Sequence, residues 1–409
     1  MKKKILLLII LCTWVPIRIS ALEYPNLNSK VIEIYDFNDQ KILYEKNAKD
    51  VISIASLTKI ATTITAIENI ENLEEEVIIT PEILRTVDVE ASTAGLRAGD
   101  RLTYKDLLYA SMLPSGADAT NALAIQSSGS IENFVSKMND LVKRIGLENT
   151  HFINVTGLDN ENHYSTADEI RKLLEYALKN PLFQKIYTTR EYTMTNGKTL
   201  KTTLYTYSKN MDIDLSPIQG SKSGFTNQAG YCLSTLSNIN GHQIIILVLN
   251  APKIGTNYYN ISDSIDLIHF LNQNYKEETL VSQGTLIANI PIKFSEEETY
   301  PIYAQENIKK YLPSDYDINN LKIEYHGLNE LSYKNQKGEK IGTIIYSYKN
   351  EVIKKEEVIL KSGIKLSIKK IIQKYGIYLI PILFVVISIT IITIHHLRKK
   401  KRTSKMRKH

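Results

Sequence analysis

The stretch Ile54-Ala55-Ser56-Leu57-Thr58-Lys59-Ile60 decides how the rest of the chain is read. Leu57, Ile60, Ala61, Ile64 and Ile67 recur at helical spacing, which predicts the start of a buried helix. Residues three apart share a helix face, so the Ser56 hydroxyl and the Lys59 amine can meet. A serine hydroxyl is a poor nucleophile at neutral pH and needs a base beside it. A desolvated lysine, kept neutral by a neighbouring cation, can be that base. Two further S-x-x-K pairs, Ser362/Lys365 and Ser367/Lys370, lie just before an apolar run and read as solvated helix faces.

The chain has 409 residues, enough for two or three domains. Its formal charge of +6 comes from both ends, Lys2-Lys3-Lys4 and the run from Arg398 onward, and no basic face suggests nucleic-acid binding. Lys2-Lys3-Lys4 followed by apolar residues 5–15 reads as a secretory signal over residues 1–21, with Ile19-Ser20-Ala21 as cleavage site. A retained N-terminal anchor is the alternative. Cys12 follows Leu11, where a lipoprotein signal needs a small residue. With the signal removed only Cys232 remains, so no internal disulfide forms. Residues 375–394 are apolar, uncharged and long enough to span a bilayer. The basic tail, residues 395–409, then belongs in the cytoplasm and the body outside, tethered to the cytoplasmic membrane by its C-terminus.

Residues 31–35 and 41–44 flank Asn38-Asp39 and predict a hairpin. Residues 91–99 read as a loop and 104–112 as a helix, which breaks and restarts at Ser115-Gly116-Ala117. Residues 130–145 are amphipathic, with Gly146 as a stop. Ser165-Thr166-Ala167-Asp168 predicts a capping box opening a helix to about residue 178. Residues 231–236 and 243–249 flank Asn240-Gly241, a strong hairpin signal. Residues 261–271 close the unit as a helix. Strands from both ends bracket a helical middle, which predicts an α+β domain with a mostly antiparallel sheet over residues 22–276. Residues 277–365 predict a small all-β sandwich domain without a long helix.

Downstream of Ser56 lie Ser115-Gly116-Ala117, at a helix break, and Lys222-Ser223-Gly224, expected at a strand end. Order and spacing match the S-x-x-K, S-x-N and K-T-G signature of penicillin-binding serine enzymes. The blocks Gly95-Leu96-Arg97-Ala98-Gly99-Asp100, Thr156-Gly157-Leu158-Asp159, His163-Tyr164-Ser165-Thr166-Ala167 and Ala229-Gly230-Tyr231-Cys232 narrow this further. Together they resemble the D-alanyl-D-alanine carboxypeptidase family, the low-molecular-mass penicillin-binding proteins, over about residues 29–275.

The resemblance implies the serine β-lactamase/penicillin-binding-protein (DD-peptidase) fold, with an antiparallel sheet and a helical subdomain. It also implies roles. Ser56 is the acylated nucleophile and Lys59 takes its proton. Ser115 relays protons with Lys222, whose charge helps keep Lys59 neutral. Ser223 and Thr226 bind the substrate's terminal carboxylate region beside Gly224. The N–H groups of Ser56 and Phe225 form the oxyanion hole. Substrates are peptidoglycan stem peptides and β-lactams are inhibitors. No cofactor or metal is expected, and no Cys/His cluster suggests one.

The chain departs from the family pattern. Ala117 stands for asparagine and Ser223 for threonine, and residues 191–397 contain no arginine, leaving Lys253 as the replacement cation. Lys361-Ser362-Gly363 lacks the flanking context and reads as a strand end. His163 reads as structural and Cys232 as a small core residue. Two other functions stay open: a β-lactamase, for which a clear E-x-x-L-N element is missing, and a non-catalytic wall-binding protein, which Ala117 favours.

Overall fold

A computed structural model describes residues 22–406; the expected signal segment, residues 1–21, lies outside the described residues. The chain divides into two compact units. The first runs to Glu277 and takes in Tyr311–Asp315; the second holds Glu278–Lys310 and the chain from Tyr316 onward.

The first unit opens with the expected hairpin, β1 (Val31–Asp36) and β2 (Lys41–Lys46). Asp36 Oδ1 accepts the backbone N–H groups of Asn38 and Asp39 and so fixes the turn. Helices follow: α1 (Thr58–Asn69), α2 (Tyr104–Met112), α3 (Ala117–Ser128), α4 (Ile131–Arg144), α5 (Ala167–Leu178), α6 (Pro181–Thr188) and the short α7 (Thr203–Ser208). The chain then returns to the sheet as β3 (Gly220–Thr226), β4 (Gly230–Ile239) and β5 (His242–Ala251), and closes with α8 (Tyr259–Asn274). The sheet is antiparallel in the order β2-β1-β5-β4-β3, so both chain ends build it. The α+β expectation holds, and β3 is an edge strand.

The central strand β5 explains the uninterrupted apolar run from Ile244 to Leu249. Ile245, Leu247 and Leu249 enter one core with Leu57, Ile60, Ile64 and Phe134. Ile244, Ile246 and Val248 enter a second with Ile261, Ile265 and Ile268 of α8. A strand covered on both faces has no polar alternation to show.

Two local expectations change. The cap of α5 is Thr166 and not Ser165: its hydroxyl accepts the N–H of Glu169, while the Glu169 carboxylate turns away to the N–H groups of Glu148 and Asn149, so no reciprocal box closes. Lys222-Ser223-Gly224 lies inside β3, because the strand continues to Thr226 before it turns.

The second unit is built mostly from β-ladders. Leu321–Gly327 and Glu351–Ile359 flank Lys340–Tyr348 antiparallel. Leu286–Lys293 pairs with Thr299–Tyr303 antiparallel and with Leu331–Ser332 in parallel. Then comes α9 (Ile368–Met406), with Pro381 inside it. Among the described residues Ile380–Lys399 is the one stretch long and apolar enough to cross a membrane, five residues later than the sequence alone suggests. Ser367 caps α9 through the N–H of Lys370, whose amine pairs with Glu298 at 3.0 Å. That serine–lysine pair is a helix cap, and Ser362 and Lys365 lie in irregular chain.

Candidate active site

Ser56 sits in a tight turn of 3-10 helix, Ala55–Leu57, and α1 proper begins only at Thr58. The turn depends on Ala55 at φ +47°, a left-handed conformation rare outside glycine. Gly157, at φ +89°, fits against it: a β-carbon there would stand 1.9 Å from the Ala55 carbonyl oxygen. The Thr58 hydroxyl ties the same carbonyl at 2.9 Å, and His163 Nε2 meets that hydroxyl at 2.7 Å. His163 Nδ1 accepts the N–H of Ile153, so Nε2 carries the ring proton and donates it.

Lys59, one turn on, lies 3.1 Å from the Ser56 hydroxyl and donates to the Thr156 carbonyl at 2.7 Å. Burial pulls its amine down to about 7, with the carboxylate of Asp118 opposing. When neutral, the amine keeps a donor bond to Thr156 and turns its lone pair to Ser56. This is the contact that a nucleophile and its base would need.

The second pair faces the first from the other side. Ser115, at φ +62° between α2 and α3, accepts from the Lys222 amine at 3.0 Å. Lys222 also donates to the Ser223 carbonyl at 2.6 Å. Burial, and then the charge of Lys59, hold Lys222 well below its ordinary value. Two amines in one dry site repel, so the site favours one ammonium at a time. Asp118 anchors this half: its carboxylate accepts the N–H groups of Ala94 and Leu96, which fixes the loop against Gly116.

β3 brings the halves together. Gly224 packs against the Ser56 turn, and the Ser56 N–H precedes that turn's first internal bond, from Leu57 N–H to the Ile54 carbonyl. A backbone donor therefore stands beside the hydroxyl with no intrahelical partner. The Thr226 hydroxyl is committed elsewhere, donating to Asp159 at 2.6 Å and accepting the N–H of Ala229. It has no proton left for a substrate carboxylate. Ser223 keeps its hydroxyl at the site, 2.5 Å from that of Thr203.

Residues 19–253 match the sequence profile described as D-alanyl-D-alanine carboxypeptidase, and residues 275–366 match the C-terminal domain of penicillin-binding protein 5. The chain belongs to the D-alanyl-D-alanine carboxypeptidase family. It is 29% identical over 330 residues to the D-alanyl-D-alanine carboxypeptidase DacF of Bacillus subtilis, covering 80% of this chain and 83% of that one. A D-alanyl-D-alanine carboxypeptidase of a Streptomyces species is 35% identical over 224 residues, 52% of this chain and 77% of its own. Among solved structures, a penicillin-binding protein of Streptococcus pneumoniae, described as a peptidoglycan synthesis regulatory factor, overlays with a TM-score of 0.64 at 23% identity. That match covers 83% of this chain and all of the other. Penicillin-binding protein 5 of Haemophilus influenzae gives 0.61 at 24%, covering 83% and 98%. These two likenesses bear on the fold, which is the penicillin-binding DD-peptidase fold.

Within that family frame the remaining candidates separate. Ala117 is buried at the start of α3, its N–H on the Ser92 carbonyl at 2.7 Å. Lys253 is exposed and lies over the Tyr258 ring at 4.6 Å, which meets Tyr231 edge-on, and Tyr231 in turn stacks on Phe225. Cys232 is buried in β4 with its thiol pushed up to about 12, which leaves it inert. Among the described residues Asp36, Asp39 and His242 come close enough to hold a metal. Asp36 is already engaged by two backbone N–H groups and His242, which makes the cluster a brace for the β1–β2 turn.

Sequence reasoning singled out Ser56, Lys59, Ser115 and Lys222–Thr226, and the structure gathers them around one edge. It did not assign Thr156, Asp118, Asp159 or Thr203. Thr156 and Asp159 lay in a block noted for its resemblance alone: Thr156 acts through a carbonyl, which leaves no side-chain signature, and Asp159 through Thr226, far along the chain.

Proposed function

We propose that this chain is a serine-type D-Ala-D-Ala carboxypeptidase that removes the terminal D-alanine of peptidoglycan stem pentapeptides. The observation that carries the reading is the 3.1 Å contact between Ser56 and a buried lysine whose amine is lowered to about 7.

In this reading Lys59 takes the Ser56 proton as the hydroxyl attacks the carbonyl of the penultimate residue. The N–H groups of Ser56 and Phe225 hold the resulting oxyanion, a contribution of about 3–4 kcal/mol. The proton passes through Ser115 and Lys222 to the departing amine of D-alanine. Water then hydrolyses the acyl-enzyme. A β-lactam acylates Ser56 by the same route and inhibits the enzyme. The body works outside the cytoplasmic membrane, with α9 as anchor and the basic tail inside. No metal, cofactor or nucleic acid takes part.

Release of free D-alanine from an N-acyl peptide ending in D-Ala-D-Ala, by the full chain in detergent and not by Ser56→Ala, tests the reading. A second reading rests on Ala117, which removes the amide that would hold the substrate backbone. In it the chain keeps the fold and binds wall peptides without cleaving them. Peptide binding with no D-alanine release would select it.

A further inference from the structure

We propose that Thr203 is a specificity-determining residue of this site, pairing with Ser223 to hold the free α-carboxylate of the residue that leaves. The inference rests on the carboxypeptidase reading above. It concerns the one short hydroxyl pair on the edge of β3, which no sequence motif announces.

The two hydroxyl oxygens are 2.5 Å apart. Thr203 opens α7, and its backbone N–H donates to the carbonyl of Leu113, two residues before Ser115. The start of α7 is thus stitched both to the Ser115 turn and to β3. Thr202, the residue capping α7, makes no side-chain cap bond, so the helix end does not compete for these hydroxyls.

Proton accounting gives the pair its chemistry. Two hydroxyls carry two protons, and the bond between them uses one. The second is free to donate, and donation through a hydroxyl that already accepts a bond is strengthened. The nearby carboxylates are otherwise engaged: Asp159 holds Thr226 and the N–H of Gln228, and Asp118 holds the 94–96 loop. The Lys222 amine lies against the Ser223 carbonyl. A free hydroxyl proton beside a buried amine, with no acceptor for it among the described residues, is a receptor for a small anion.

The position suits a carboxylate one residue from the cleaved bond. In a dipeptide terminus the carboxyl carbon is about 2.5 Å from the scissile nitrogen. Gly224 touches the Ser56 turn, and Ser223 precedes it on that edge strand by one step of about 3.3 Å, its side chain leaving the opposite face, where Thr203 meets it. The arginine-free stretch of residues 191–397 supplies no guanidinium, and that of Arg190 is turned to the Ile218 carbonyl at 2.8 Å. Two hydroxyls and one amine must then do what a bidentate guanidinium would do. Threonine suits the task because its branched β-carbon restricts the hydroxyl to few rotamers.

The test reads binding apart from turnover. Full-length Ser56→Ala protein in detergent is titrated calorimetrically with N-acetyl-D-Ala-D-Ala and with the same peptide as its C-terminal amide. The parent should prefer the acid. Thr203→Val should weaken acid binding about tenfold and leave the amide unaffected, and Thr203→Ser should restore the preference. Thr203→Ala serves as the second hydroxyl deletion if valine's extra methyl unfolds the chain. With Ser56 present, Thr203→Val should raise KM more than it lowers kcat. An acid preference that survives both deletions, or acid and amide weakened alike, overturns the assignment. A chain that selects the acid through Thr203 but releases no D-alanine leaves this inference standing and removes the carboxypeptidase reading.

Discussion

A β-carbon built on Gly224 would lie 2.7 Å from the backbone nitrogen of Ser56. The same atom would stand 3.0 Å from the Ala55 side chain. Edge strand and nucleophile turn therefore touch through bare backbone, and the separation sets where a substrate carbonyl can sit. Gly224→Ala carries no left-handed backbone penalty, so its effect is steric. It should push β3 away from Ser56 and slow capture of a fluorescent penicillin by at least about a hundredfold, the scale of losing an oxyanion donor. Circular dichroism should show the fold retained. Unchanged capture would mean that β3 does not frame the reacting carbonyl.

Lys59 is a stability liability, because its amine is buried. Its amine titrates near 7 folded and near 10.5 unfolded. Between those values the unfolded chain binds more protons, so stability rises as pH goes from about 7 to 10.5, and the penalty is complete below 7. Lys59→Met, close in length and neutral, should melt higher than wild type at pH 7, with the gap shrinking toward pH 10.5. It should capture no penicillin. Wild-type acylation should rise through a pKa near 7 to a plateau.

His163 predicts an effect on the acid side. Burial first, then the field of His151, lower its imidazole to about 4. The unfolded value is near 6.5, so the folded state binds fewer protons between the two. Stability is intact above about 6.5 and falls as pH drops through 4. His163→Ala should flatten that acid limb in thermal scans. It should also lower acylation at pH 7 several-fold by freeing Thr58 and the Ala55 carbonyl.

Ala117 sets a rate. An asparagine amide there would add one substrate contact, and losing such a contact costs about 0.5–1.5 kcal/mol, up to roughly tenfold in rate. The wild type should therefore turn over slowly but measurably on a D-Ala-D-Ala peptide. Ala117→Asn should raise kcat up to about tenfold, provided the buried amide finds partners. Lower turnover with a lower melting temperature would show that the packing around Ala117 has closed the space.

Much of this was legible in the sequence because the reactive residues sit on strong local signals. The helical period behind Ser56 and the break at Ser115 located the segments that bear them, and the Asn240-Gly241 turn located the β4–β5 hairpin, whose strand β4 pairs with the β3 strand that bears Lys222. The residues that hold those groups in place were not legible. Thr156 acts through its carbonyl, Gly157 by lacking a β-carbon against Ala55, and Thr203 through a partner twenty residues away on β3. Ser165-Thr166-Ala167-Asp168 marked the start of α5, but the cap is Thr166, one residue later than that box requires, and the Glu169 carboxylate serves a distant loop. Tertiary contacts of this kind carry no period and no motif.

The central claim is that Ser56 is the one acylated nucleophile of this chain. Full-length protein treated with benzylpenicillin, digested and analysed by mass spectrometry, tests it most directly. The prediction is a single penicilloyl adduct on the peptide bearing Ser56, lost in Ser56→Ala and retained in Ser362→Ala. An adduct on any other residue, or none on a chain that melts cooperatively, would contradict it.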